Sequence, residues 1–252
     1  MEHRIVGTVM PVLEVTLESG ESVVAESGEL SWMTSAIGLT TSTKTAGSKG
    51  LFGAVKRAVG GGSLFMTEYT AQGGSGLVAF ATKVPGHIKP IEVGGGRDYF
   101  IHRGGYLCGT TGVELSIAFQ QTFGAGLFGG AGFVLQKVTG SGSAWVELDG
   151  EIVEYELKGG EQLRVHPGHV GMLDSTVTFE ITRLPGIKNI IFGADGLFLA
   201  ALTGPGKVWL QTLPLPNLAH ALTPYLPQAS GDSDRGGGAA GLIGGLLRGD
   251  NS

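Results

Sequence analysis

A single cysteine, Cys108, is all that the chain contains, so neither a disulfide framework nor a multi-cysteine metal site can be built. It lies in the apolar run Tyr106-Leu107-Cys108 and reads as a small buried hydrophobe rather than a nucleophile. Charge is scarce too. Only 15% of residues are charged, for a net charge of −5, and the 17 Lys and Arg are scattered. A polyanion-binding surface needs clustered cations, so nucleic acid is not an expected partner. A sparsely charged surface fits instead with subunit contacts that hide part of it. No apolar run reaches the roughly 18 residues of a membrane-spanning helix. The short apolar stretch after Met1-Glu2-His3-Arg4 does not form a signal peptide, and the expected compartment is the cytoplasm.

Glycine, by contrast, is abundant, with 46 residues, yet 42% of the chain is apolar and its mean hydropathy is +0.20. That much apolar surface argues for a large buried core rather than low complexity. Gly spread between short apolar runs supplies tight turns, because it takes φ > 0 at little steric cost. The fold class expected is all-β.

Repeats organise the chain. Residues 96–148 overlay 160–212 at an offset of 64 without a gap, giving thirteen identities in 53 pairs. Most of the matches are turn glycines and core apolars, and they include Gly96/Gly160, His102/His166, Gly104/Gly168 and Trp145/Trp209. A third copy begins at Gly20, which falls on Gly96 at an offset of 76, and it carries an insertion at 54–61. The boundaries read as 1–85 with that inserted loop, 86–149, 150–213, and a remainder at 214–252. Alternation in Val113-Glu114-Leu115-Ser116-Ile117-Ala118-Phe119 marks a half-buried strand. Phe133–Val146, turning at Gly140-Ser141-Gly142, reads as a hairpin. Such a module is too small to bury both sheet faces alone, and three packed together give a continuous core.

Beyond Pro214 the pattern changes. Asn217 is placed to cap a short helix, Leu218–Leu222, ending near Pro224. From Gln228 the chain reads as a mobile Gly-rich tail. Leu242, Ile243, Leu246 and Leu247 would share one helical face, a candidate for weak docking, although the surrounding glycines weaken any helix.

Few residues carry the marks of chemistry. His166-Pro167-Gly168-His169 sets two imidazoles beside a turn on a β scaffold, which suggests a cupin-like metal centre. The spacing is His-x-x-His rather than His-x-His, no third His follows, and His102 recurs with the repeat where Glu26 stands in the first copy. A residue that follows the repeat reads as structural. Lys56 and Arg57 form a local basic pair, read first as a loop tip and second as an anion contact. The Gly-rich run 124–132 lacks the Gly-Lys-Ser/Thr ending of a phosphate loop. No nucleophile elbow stands between a strand and a helix. No catalytic residue and no cofactor is expected.

The run Gly20–Met33, the strand Leu64-Phe65-Met66-Thr67-Glu68-Tyr69, Pro85-Gly86-His87-Ile88 and Leu184-Pro185-Gly186-Ile187-Lys188-Asn189 carry a family resemblance. Over about residues 5–215 the chain resembles the bacterial family related to a yeast mitochondrial biogenesis protein named for altered inheritance of mitochondria. The resemblance implies three subdomains like those of the tryptophan RNA-binding attenuation protein, a short double-stranded β-helix, and a ring-like assembly, a homotrimer. It supplies no catalytic residue. RNA binding does not carry over, because position 97 is Arg while 21 and 161 are Glu. The function expected is a non-enzymatic oligomeric scaffold or interaction protein. The alternative is a cupin-like metal-dependent enzyme or small-ligand binder using His166 and His169.

Overall fold

The computed structural model describes residues 1–42, 64–121, 132–183 and 198–225. Short apolar runs punctuated by glycine turns become strands. The first group is β1 (Glu2–Val6), β2 (Val12–Leu17), β3 (Ser22–Glu26), β4 (Trp32–Met33), β5 (Ile37–Ser42), β6 (Met66–Ala71) and β7 (Gly76–Ala81). Next come β8 (Gly86–Val93), β9 (Tyr99–His102), β10 (Tyr106–Thr110), β11 (Val113–Gln121), β12 (Phe133–Gly140) and β13 (Gly142–Asp149). The last group is β14 (Ile152–Leu157), β15 (Gln162–Val165), β16 (Val170–Asp174), β17 (Thr178–Arg183), β18 (Phe198–Thr203) and β19 (Gly206–Gln211). The all-β expectation holds.

These strands form four antiparallel sheets. The first has the order β1-β2-β7-β4, and the second β5-β6-β3-β10-β13-β8. The third runs β11-β12-β9-β16-β19-β14, and the fourth β15-β18-β17. Register is shared between the second and third sheets: Cys108 faces Trp145 as Met172 faces Trp209. Both long sheets therefore join strands from distant parts of the chain.

Among the described residues, three clusters of buried apolar side chains lie between successive sheets. Leu13, Val15 and Phe80 of the first sheet meet Val23 and Trp145 of the second. Val146 and Leu148 of the second meet Ile101, Met172 and Trp209 of the third. Leu135, Val170 and Val208 of the third meet Val165, Ala200 and Leu202 of the fourth. Because the middle sheets are covered on both faces, β13 is buried at six consecutive positions, Ala144–Asp149, instead of alternating.

Most of the repeated turns follow the glycines. Gly20, Gly96 and Gly160 all take φ between 79° and 88°, where a Cβ would be strained. Gly28 and Gly104 do likewise at 102° and 78°. Gly168 does not: Pro167–His169 form a 3₁₀ turn, with Pro167 fixing its start.

Past the sheets lies helix α1 (Leu215–Leu222), continued by a 3₁₀ turn at Thr223–Tyr225. It starts before the expected Asn217 cap. Pro214 supplies the carbonyl that receives the Asn217 and Leu218 N–H groups, and Pro216 is tolerated in the first turn. Residues Met1–Ala219 form one compact unit and His220–Ser252 a second. The inserted loop 54–61 and the tail from Gln228, with its Leu242–Leu247 stretch, lie outside the described residues. Among the described residues, no helix is long and apolar enough to cross a membrane.

Phe80 is fully buried and meets the Tyr69 ring edge-on at 5.6 Å. Phe80→Ala is expected to cost about 3–5 kcal/mol of unfolding free energy, read from urea melts.

Candidate functional site

Covering both faces of β13 forces its two acids inside. Glu147 is 1% exposed and Asp149 2%, and buried carboxylates need partners. Glu147 accepts the Lys83 backbone N–H at 2.7 Å, and the Lys83 ammonium lies 3.7 Å from its other oxygen. The same ammonium pairs with Glu29 at 2.7 Å and donates to the Gly104 carbonyl at 3.1 Å. Lys83 thus ties the loop after β3 to β13 and to the turn after β9. Nearby, Gln136 donates to the half-buried Glu26.

His102, at the end of β9, donates from Nε2 to the Glu147 backbone carbonyl at 2.9 Å. Burial pushes its pKa down, so the ring is held neutral. Burial pushes Glu26 and Glu147 up. It pushes Asp149 up to about 6, against the pull of Lys83 and of the Leu215 backbone hydrogen bond. Gln211 closes the group: its Oε1 accepts the Asp149 N–H at 3.0 Å and its Nε2 donates to the Gly168 carbonyl at 3.1 Å. A cavity of about 180 Å³ opens here, lined by His102, Arg103, Asp149, Gly168, Gln211 and Leu215 among others.

The two histidines singled out from sequence do come together. The His166 and His169 rings are 5.9 Å apart, edge to face. His169 Nδ1 bonds the Gln211 carbonyl at 2.8 Å, which makes Nδ1 the protonated nitrogen. Its Nε2 lies 3.4 Å from the Asn217 amide in the first turn of α1. Burial, then the neighbouring His169, lowers the His166 pKa. Among the described residues, no group of three His, Cys, Asp or Glu side chains is arranged to hold a metal ion. The His pair sits instead beside the Gln211–Asp149 network. Lys56 and Arg57 lie outside the described residues. Cys108 is fully buried, and burial pushes its thiol well up, away from the reactive thiolate.

Lys83, Glu147, Asp149 and Gln211 had no sequence signal as a cluster, because Lys83 and Gln211 each lie more than 60 residues from the Glu147–Asp149 pair in the chain. The one available clue is Glu147 and Asp149 standing in phase with Trp145 on a strand, which puts both acids on an inward face. Chemically, the arrangement partners buried polar groups and fixes rotamers. His102 spends its N–H on a backbone carbonyl rather than on a nucleophile.

The sequence model described as mitochondrial biogenesis AIM24 matches residues 3–213. The chain belongs to that family. An uncharacterised protein of Streptococcus pyogenes serotype M6 is 30% identical over 224 residues, covering 87% of this chain and 88% of that protein. The crystal structure of another Streptococcus pyogenes protein, a structural-genomics target, superposes with a TM-score of 0.70 at 26% identity. That match spans 89% of this chain and 99% of the other. The AIM24 match covers every sheet and the polar network, and stops just before α1.

Asp149 sets a pH dependence of known sign. Its folded pKa is raised above the unfolded value, so its contribution is fully present below about pH 4 and is lost as pH rises toward 6. Asp149→Asn is therefore expected to gain stability over wild type progressively across that window. The gain should level off above pH 6 at about 1–3 kcal/mol. Urea melts of both proteins at four pH values between 4 and 7 measure it. A difference that does not change with pH would remove the assignment.

Proposed function

We propose that the chain is a non-enzymatic scaffold or interaction protein that assembles head to tail through its two incomplete sheets, three copies closing a ring. The observation that carries this reading is the order of the strands. Each long sheet joins a three-strand half, β5-β6-β3 or β11-β12-β9, to a second half, β10-β13-β8 or β16-β19-β14. The fourth sheet, β17-β18-β15, has only the first kind of half. The first sheet, β4-β7-β2, has only the second kind, with β1 added outside β2. Laying β15 of one copy beside β4 of the next restores the same six-strand order, with three similar modules per chain at 1–85, 86–149 and 150–213.

The register follows from the chain's own pairings. Leu173 faces Phe100 and Gly109 faces Val24. Carried along the chain by the repeat offsets, these pairs put Arg164 opposite Met33 of the neighbouring copy. The Gly204 N–H donates to the Glu161 carbonyl at 2.9 Å, so odd-numbered residues of β15 bond to β18. Arg164 then turns its backbone groups outward, ready for a partner strand. An unpaired edge of this kind is a template for another chain. Trp32, half exposed on β4, would be covered by the same contact. The low charge density fits such buried contacts, and the lone buried cysteine fits a reducing cytoplasm.

Native mass spectrometry at micromolar concentration is expected to give about 78 kDa, three times the 25.9 kDa chain. Arg164→Pro removes the outward N–H without touching the β18 ladder and is expected to leave a folded monomer. A wild-type monomer, or a trimer that survives Arg164→Pro, would overturn the reading.

A further inference from the structure

The N-terminal strand occupies a groove whose counterpart one module later is open. β1 lies along β2, with His3 opposite Val15 and Ile5 opposite Leu13. His3 packs edge-on against Trp145 at 5.1 Å, and the Met1 amino group bonds Glu21 at 2.7 Å. One module later, Lys89–Glu92 stand where Leu13–Thr16 stand in the first, and Arg97 stands in the place of Glu21. Trp209 is likewise the repeat counterpart of Trp145 and shares its register in the sheet. These residues line a cavity of about 470 Å³, well within the size of small-ligand sites.

A second strand is a poor occupant for it. The Gly150 N–H donates to the Pro85 carbonyl at 2.7 Å, so odd-numbered residues of β8 bond to β13 and Pro90 faces the open edge. Proline offers no N–H there, and a strand laid along β8 as β1 lies along β2 would lose a ladder bond.

The charges also differ from the first groove. Every acid in the cavity wall has a partner: Asp98 pairs with Lys137 at 3.3 Å, and Asp174 accepts the Lys207 N–H at 2.8 Å. Glu92 accepts the Ser143 hydroxyl at 2.8 Å. Glu154, beneath Trp209, takes the indole N–H at 2.6 Å and the Lys207 ammonium at 2.8 Å. Among the described residues, no carboxylate lies within ion-pair distance of Arg97 or Lys89. Lys89 instead sits 5.3 Å over the Trp209 ring.

We infer that this groove between the second and third sheets binds a small organic carboxylate with a flat apolar body. The carboxylate takes the place of the amine–Glu21 pair with reversed sign, held by the Arg97 fork. The flat body lies against Trp209 beside the Lys89 stem, where His3 lies against Trp145 in the first groove. Ser175 and Thr176 complete the wall. The inference rests on the modular reading above for the correspondence of the two grooves, but not on ring closure.

Isothermal titration calorimetry of the full chain with 1-naphthoate, against neutral 1-naphthamide and inorganic phosphate, tests it. Naphthoate is expected to bind at least tenfold more tightly than either control. Arg97→Glu should weaken it by at least tenfold, and Trp209→Phe by several-fold. Arg97 is exposed, so an unchanged melting temperature in Arg97→Glu checks the fold. Equal binding of naphthamide, retention of affinity in Arg97→Glu, or no binding to folded protein each overturns the inference. Native mass measured on the same samples separates this outcome from the oligomer: loss of binding with the trimer intact counts against the groove alone.

Discussion

Strand pairing across the sequence is the constraint on which the rest of the structure depends. β3 pairs with β10, and β9 pairs with β16. Each of these seams joins the tail of one stretch of hairpins to the head of the next. Once they form, stretches far apart in the chain share a sheet. The three cores follow, since each fills the space between two successive sheets. Among the described residues the outer sheets are shorter, four strands in the first and three in the fourth against six in each of the middle two.

Stacking the sheets has a cost, which the polar network meets. A strand covered on both faces has no wet side on which to place an acid, yet β13 carries two. The Lys83 backbone N–H and ammonium meet Glu147, the Leu215 backbone meets Asp149, and Gln211 takes up the Asp149 main-chain N–H. Leaving such groups unpartnered would cost about 1–3 kcal/mol each. The network also fixes which turn lies over which sheet. His102 belongs to this framework: held neutral, it donates from one sheet to the backbone of the next.

Much of the fold was legible in the residues. The glycine turns at 20, 96 and 160 and the hairpin at Gly140–Gly142 appear where the pattern placed them. Sheet order was not legible, because which strand joins which across the length of a module is decided by long-range packing, not by local pattern. The 3₁₀ turn at Pro167–His169 was hidden for a different reason. Gly168 aligns with Gly104, but Pro167 overrides the left-handed turn that Gly104 makes. The early start of α1 was hidden too, because Pro214 supplies the first carbonyl while Asn217 looks the better cap. At the candidate site, the proximity of His166 and His169 was readable from four adjacent residues. Lys83 and Asp149 were not, being lone charges until the sheets stack. The charge contrast between Glu21 and Arg97 was visible in the repeat alignment, but had no meaning until β1 was seen lying in one groove and not the other.

The shared sheets also order the events of folding in time. Val24 waits for Gly109, far along the chain, before β3 gains its second neighbour. Phe100 waits for Leu173 in the same way. Contacts of such separation slow the search, because loop closure comes before any gain from pairing. During synthesis the edge of β3 that pairs with β10 therefore has no partner strand until residues 106–110 have left the ribosome. The edge of β9 that pairs with β16 waits in the same way for residues 170–174.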